Sequence, residues 1–316
     1  MTGRRNPLRA TAVLTSALLV ACSQPDVTEV SDAQLGTASL AILDGEPASS
    51  AKYAAVGALV FVIPEVGVVD VFCSGTLVGK KALVTARHCT PSIDFALANG
   101  LNPSFALGPD AFNPAQLIPI TSYVAAPPAP GKEKGLLLDG GRDVAVAYLA
   151  SAPTGIKPVK LGQFDHDMLG TQFKIAGFGI FEFAGTYGQR FAGRATARAL
   201  RGRWYELLFG GDYDAYLEWY FTDSAAALPS DEEAKEWWKI YRLENKYELL
   251  AGGLPGEAVG CNGDSGGPLL RGTSASNMTI YGVSFAVEAT FSTVCGLGGG
   301  YLVFNRKMLD FVKDAL

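Results

Sequence analysis

The chain has 316 residues, 48% of them hydrophobic and only 18% charged, with 37 glycines and a formal net charge of −5. That composition suits a loop-rich globular protein with a large core, built as one big domain or two lobes. The acidic balance argues against a nucleic-acid partner, which calls for a basic patch, and no internal stretch is apolar for the ~18 residues that a membrane helix needs.

The first 21 residues read as an export signal. Arg4, Arg5 and Arg9 form a positive start, and residues 10–21 (ATAVLTSALLVA) form a short apolar run. They hold the only charges of this stretch, so what remains after its removal is more acidic still. The run ends Leu19-Val20-Ala21-Cys22, which resembles a bacterial lipobox and implies lipidation at Cys22. The cysteine count supports this, because five is odd: Cys73, Cys89, Cys261 and Cys295 can pair and Cys22 is left over. Ser23 after the cysteine points to the outer membrane. Residues 22–41 are small, polar and acidic and read as a tether or pro-segment.

Ile42-Leu43-Asp44-Gly45 opens the structured part. Tyr53 to Val71 reads as two antiparallel strands. Two short strands follow, through Cys73-Ser74-Gly75-Thr76-Leu77-Val78 and Ala82-Leu83-Val84-Thr85-Ala86-Arg87-His88-Cys89. His88 is one of two histidines; the other, His166, lies in a polar surface-type segment. Residues 91–135 predict short strands and long loops. Gly141-Arg142-Asp143 then leads into the apolar strand Val144–Leu149. Residues 151–158 read as a connection between two lobes, and 173–179 and 194–200 as strands. All four tryptophans fall in 201–250, where Ser230-Asp231-Glu232-Glu233 is a capping box that predicts a helix over about 231–243. Asp212 and Asp214 lack the pattern of a metal loop. The stretch 305–316 predicts a helix with Asn305 as its cap and Met308, Leu309 and Val312 on one face.

Between the insertion and that helix lies Cys261-Asn262-Gly263-Asp264-Ser265-Gly266-Gly267-Pro268. Its glycines allow a tight turn that presents a serine hydroxyl outward while neighbouring N–H groups converge on one spot. That is the requirement of an activated nucleophile with an oxyanion hole. With the T-A-R-H-C string, the Arg-Asp-Val-Ala strand start and the later Tyr281-Gly282-Val283-Ser284-Phe285-Ala286 and Gly298-Gly299-Gly300-Tyr301, the stretch resembles the chymotrypsin/trypsin-like serine proteases. The resemblance covers most of 42–316 and is weakest over 201–250.

The resemblance implies an all-β fold of two six-stranded antiparallel β-barrels with the active site between them, a C-terminal helix and a partly helical insertion. Barrel one would span about 42–150 and barrel two about 155–304. It implies a Ser265–His88–Asp143 triad, an oxyanion hole from the N–H groups of Gly263 and Ser265, and Cys73–Cys89 and Cys261–Cys295 disulfides. The first bridge is worth ~3 kcal/mol in the chain-entropy model. It also implies a zymogen: cleavage before Ile42 frees an ammonium that pairs with Asp264. Substrate would bind along Ser284, Phe285 and Ala286, with Val259 on the pocket floor and Gly299 on its wall. Val259 offers no counter-charge to a buried Lys or Arg, so the expected preference is for small or apolar P1 residues. No cofactor or metal is called for. The expected partners are a protein or peptide substrate and a membrane reached through the Cys22 anchor, with the chain monomeric. The alternative is a catalytically silent protease-fold scaffold, motivated by Arg87 beside the base and by the insertion.

Overall fold

The computed structural model describes residues 42–129, 142–179, 188–222, 230–289 and 295–316. The expected export signal, the Cys22 site and the tether 22–41 lie outside the described residues.

After a two-residue strand β1 (Glu46–Pro47), barrel one is built from β2 (Val56–Ile63), β3 (Gly67–Leu77), β4 (Ala82–Thr85), β5 (Asn102–Leu107), β6 (Gln116–Ala125) and β7 (Ala145–Leu149). These close in the order β2-β3-β4-β7-β6-β5 with antiparallel pairings throughout. The β-branched and aliphatic run of β2 is buried over its first five residues, as a strand covered on both faces requires.

Between β4 and β5 stands a helix that the residue pattern does not announce, α1 (Thr90–Ala98). Pro91 sits in its first turn, where a missing N–H costs nothing. It buries Ile93 and Ala96, three apart, but Phe95 and Leu97 are exposed, so no apolar face is visible in the sequence.

Barrel two uses β8 (Lys160–Leu161), β9 (Gln172–Gly177) and β10 (Phe191–Ala199) before the insertion. The insertion is bracketed by a ribbon of β11 (Gly202–Arg203) and β12 (Arg242–Leu243) and holds α2 (Trp204–Leu208), α3 (Tyr213–Thr222) and α4 (Asp231–Ile240). The strands β13 (Glu248–Ala251), β14 (Pro268–Arg271), β15 (Thr279–Ala289) and β16 (Gly296–Val303) complete the barrel. A ring β9-β10-β13-β16-β15-β14 closes on itself, with β1 added to β10 and β8 added in parallel to β15. Glu46 and Pro47 of β1 register against Ala192 and Phe191 of β10, so the start of the described chain lies along a strand of the second ring.

The largest apolar cluster runs through both barrels, joining Leu59, Val84 and Phe105 to Phe178, Val283 and Leu302. The insertion has a separate core of Trp204, Tyr205, Tyr216, Trp219, Tyr220 and Tyr241. Rings there meet at 4.8 Å (Tyr205–Tyr216) and 5.0 Å (Tyr216–Trp238). Ser230 caps α4 by accepting from Glu233 N. The last helix, α5 (Arg306–Asp314), is capped by Asn305, whose Oδ1 accepts from Met308 N at 3.0 Å. It straps back onto barrel one, where the Tyr148 hydroxyl on β7 donates to Ala315 O at 2.9 Å.

Candidate active site

Barrel one supplies a histidine and an aspartate at adjacent strand ends. β4 runs out at Thr85, whose hydroxyl donates to Ser74 O at 2.8 Å, and a 3-10 turn over Arg87–Cys89 then carries His88. The Cys73–Cys89 disulfide ties that turn to β3. Asp143 lies two residues before the neighbouring strand β7. Its Oδ1 accepts from His88 N at 2.8 Å and its Oδ2 faces His88 Nδ1 at 2.6 Å. Two bonds to one carboxylate fix both the backbone and the ring of His88. A proton on Nδ1 leaves Nε2 as the basic nitrogen. Asp143 is 5% exposed at its side chain and His88 24%, so the carboxylate is dry and the imidazole reaches the cleft.

The ligand-type atoms of Cys73, His88 and Cys89 lie within 4.8 Å of one another. The two sulfurs are joined and His88 Nδ1 is held by Asp143, so the group acts as a brace.

Barrel two supplies the serine. Its loop turns on Asp264 N to Cys261 O (3.1 Å) and Gly267 N to Asp264 O (2.8 Å), and it is laced to β15 by Gly266 N to Ser284 O and Ser284 N to Gly267 O, both 2.8 Å. Gly263 and Gly266 have φ of 93° and 81°, which an L side chain adopts only with strain. At Gly266 a Cβ would also run into Thr85 Oγ1 and the Ser74 carbonyl. The loop therefore presses directly against the end of β4 that leads to His88.

Ser74, which the motif reading quotes but gives no role, is the stitch between the barrels. Its N donates to Ser265 O at 2.8 Å, its hydroxyl donates to Gly263 O at 3.0 Å, and that same oxygen accepts from Phe178 N at 3.0 Å. The Cys89 sulfur lies 3.8 Å from the Ser265 carbonyl oxygen. Ser265 is thus held beside the histidine turn. Among the described residues, neither Gly263 N nor Ser265 N has an acceptor, and the Ser265 hydroxyl makes no hydrogen bond.

Asp264 is 3% exposed. Its carboxylate accepts from Gly179 N and Cys261 N, each at 2.8 Å, and has no cation partner among the described residues. Burial outweighs those two bonds and pushes its pKa up to about 7. Beside it sits a cavity of about 10 Å³ lined by Ile42, Ile175, Gly260, Ser284 and Tyr301 among others. Ile42 is 1% exposed, and the segment after it is clamped by Leu43 N to Val259 O (3.0 Å) and Val259 N to Leu43 O (3.1 Å). Asp44 takes φ 56°, a region that glycine and, less readily, Asp tolerate.

The remaining expected site residues gather around the same loop. Val259 is buried against Leu43. Ser284 pairs with Tyr301 and Ala286 with Gly300 across β15–β16, and Gly299 pairs with Val287. Cys261 and Cys295 are bonded. Phe285 is buried, with its ring beside Gly300. Ser284 is tied in by its backbone; its hydroxyl makes no bond to Asp143 among the described residues.

Comparisons with known proteins bear on the fold. The trypsin family model matches residues 43–196, a span that holds His88 and Asp143 and stops before the insertion. Among solved structures, neuropsin, a serine protease expressed in the limbic system of mouse brain, superposes with a TM-score of 0.55 at 18% identity, covering 86% of this chain and 99% of that one. The fold is that of the trypsin-like serine proteases. No curated protein sequence matches the chain. The trypsin-like frame explains why the family match breaks off where it does. The described residues of 202–243 form their own aromatic core, packed through Leu208 on Gly298 of β16, the strand that also carries Gly299.

Proposed function

We propose that the protein is a serine endopeptidase in which Ser265 attacks the peptide carbonyl, His88 Nε2 takes its proton and Asp143 stabilises the resulting imidazolium. The observation that carries this reading is the approach of the doubly bonded His88–Asp143 pair to a serine loop with two backbone donors that have no acceptor among the described residues. Those donors, Gly263 N and Ser265 N, would each contribute ~3–4 kcal/mol to holding the oxyanion.

The uncut chain is a zymogen in this reading. Cleavage of Ala41–Ile42 frees an ammonium on a residue already seated beside Asp264. The carboxylate then ionises against a cation, the loop settles, and the Ser265–His88 hydrogen bond closes. The protein is exported, anchored through Cys22 until that cleavage, and released by it. Val259 on the pocket floor selects small or apolar P1 residues such as Ala, Val or Leu, which also fits Ala41 as a self-cleavage site.

A panel of peptides differing only at P1, given to the cut protein, tests the reading. The proposal expects hydrolysis after Ala, Val or Leu, little after Lys or Arg, and none by Ser265→Ala. Hydrolysis that survives in Ser265→Ala would remove the nucleophile assignment. Intact peptides throughout would favour a silent scaffold.

A further inference from the structure

Outside the catalytic cleft lies a cavity of about 580 Å³. It opens between the turn 163–169, the end of β10, the turn before β13 and the start of α5. Its rim carries Arg198, Arg201, Lys246 and Arg306, with His166 beside them and Asp165 as the one acid. Asp165 is engaged by a neutral group, the Gln163 amide, at 2.7 Å. Arg198 spends its two terminal nitrogens on the carbonyls of Gly252 (3.1 Å) and Leu207 (2.9 Å). The side chains of Arg201, Lys246 and Arg306 make no ion pair or hydrogen bond among the described residues. In a chain with 31 acids against 26 bases, four cations around the single rim acid Asp165 give the cavity a local positive excess that an anion would offset.

Two local rules are broken at the same place. Helix α5 starts with Arg306-Lys307 and has no acid in its first turn, although a helix N-terminus favours negative charge. Lys246 sits at φ 71°, a left-handed conformation that residues other than glycine adopt only with strain. It is held there by Asn305, whose amide donates to Lys246 O at 2.9 Å while its oxygen caps α5. One side chain thus fixes Lys246 and the helix start against each other at the rim. The floor is apolar, made by Phe164, Leu200 and Val303.

We infer that this cavity is a binding site for a phosphate-bearing small molecule, its oxyanion held by Arg201, Lys246 and Arg306 and its body resting on Phe164, Leu200 and Val303. The site is separate from the proposed catalysis and does not depend on it.

Calorimetric titration of the full chain with inorganic pyrophosphate at about 0.15 M salt tests the site. A parallel arm measures co-sedimentation with phosphatidylglycerol vesicles. The variant is Arg201→Ala/Arg306→Ala, both exposed positions. Its unliganded melting temperature checks folding, and Lys246→Gln stands in if the double variant fails. Lys160→Ala, an exposed cation elsewhere, is the control. The expected result is saturable binding, weakened about tenfold or more by the double variant and unchanged by the control. Pyrophosphate binding alone assigns a free phosphate ligand, and vesicle binding abolished by the double variant assigns a lipid headgroup. No saturable binding in either arm, or binding equal in the double variant, overturns the site.

Discussion

At the residue scale the site is governed by two buried carboxylates with opposite surroundings. Asp143 has the His88 ring and backbone as donors. Asp264 has two backbone N–H groups and, among the described residues, no cation, and burial lifts its pKa to about 7. An unfolded aspartate titrates near pH 4. Between those values the folded uncut chain holds a proton that the unfolded chain has lost, so stability falls as pH rises from about 4 to about 7. We therefore expect uncut Ser265→Ala protein to lose melting temperature over that window relative to Asp264→Asn/Ser265→Ala. Once Ile42 carries a free ammonium, the relative loss should disappear. Thermal unfolding at stepped pH reads both. Ser74 makes the second residue-scale prediction. Its hydroxyl serves Gly263 O and Phe178 N at once, so Ser74→Ala leaves a buried N–H and a half-buried carbonyl unpaired. It should cost about 1–3 kcal/mol by denaturant titration, with kcat falling more than KM rises because the oxyanion loop loosens.

At the element scale the insertion is the part that departs from a plain double barrel. Its core stands on β16: Leu208 lies against Gly298, and a Cβ on Gly300 would meet Phe285 and, at 3.3 Å, Trp204. Trp204 is 1% exposed, so Trp204→Ala should destabilise by about 3–5 kcal/mol and raise KM for extended peptides; urea unfolding and peptide kinetics measure the two effects. The elements also show where the residue pattern is readable. The strands around Cys73 and His88, helix α5 and helix α4 are all announced by caps or alternation. Helix α3 carries Tyr216, Trp219 and Tyr220 on one face, a spacing that was there to find. Helix α1 was not, because its exposed Phe95 and Leu97 erase the periodicity. Ser74 is a small residue in a strand, and its role appears only when the second barrel brings Gly263 and Phe178 to it.

At the scale of the whole molecule, the two rings are joined by one apolar cluster and by the α5 strap, so the cleft between them is fixed by the packing of both. That is why motifs far apart in the chain announce the candidate catalytic cleft well. His88 and Ser265 each sit in a specific local string, whereas Asp143, an acid at a strand start, takes on meaning only beside them. The cationic cavity has no such string. Asp165, Arg198, Arg201, Lys246 and Arg306 come from four separate segments and meet only in the folded chain. The segment at Ile42 links the scales: in the proposed activation, one bond cut there would place a charge beside the buried Asp264 carboxylate and so act on the serine loop. A fluorophosphonate probe, with the labelled residue located by mass spectrometry, tests this most directly when applied to the protein before and after cleavage of Ala41–Ile42. The account predicts fast labelling at Ser265 only after cleavage, abolished in His88→Ala. Equal labelling of the uncut chain would contradict the activation, and an unlabelled Ser265 in the cut chain would contradict the enzyme.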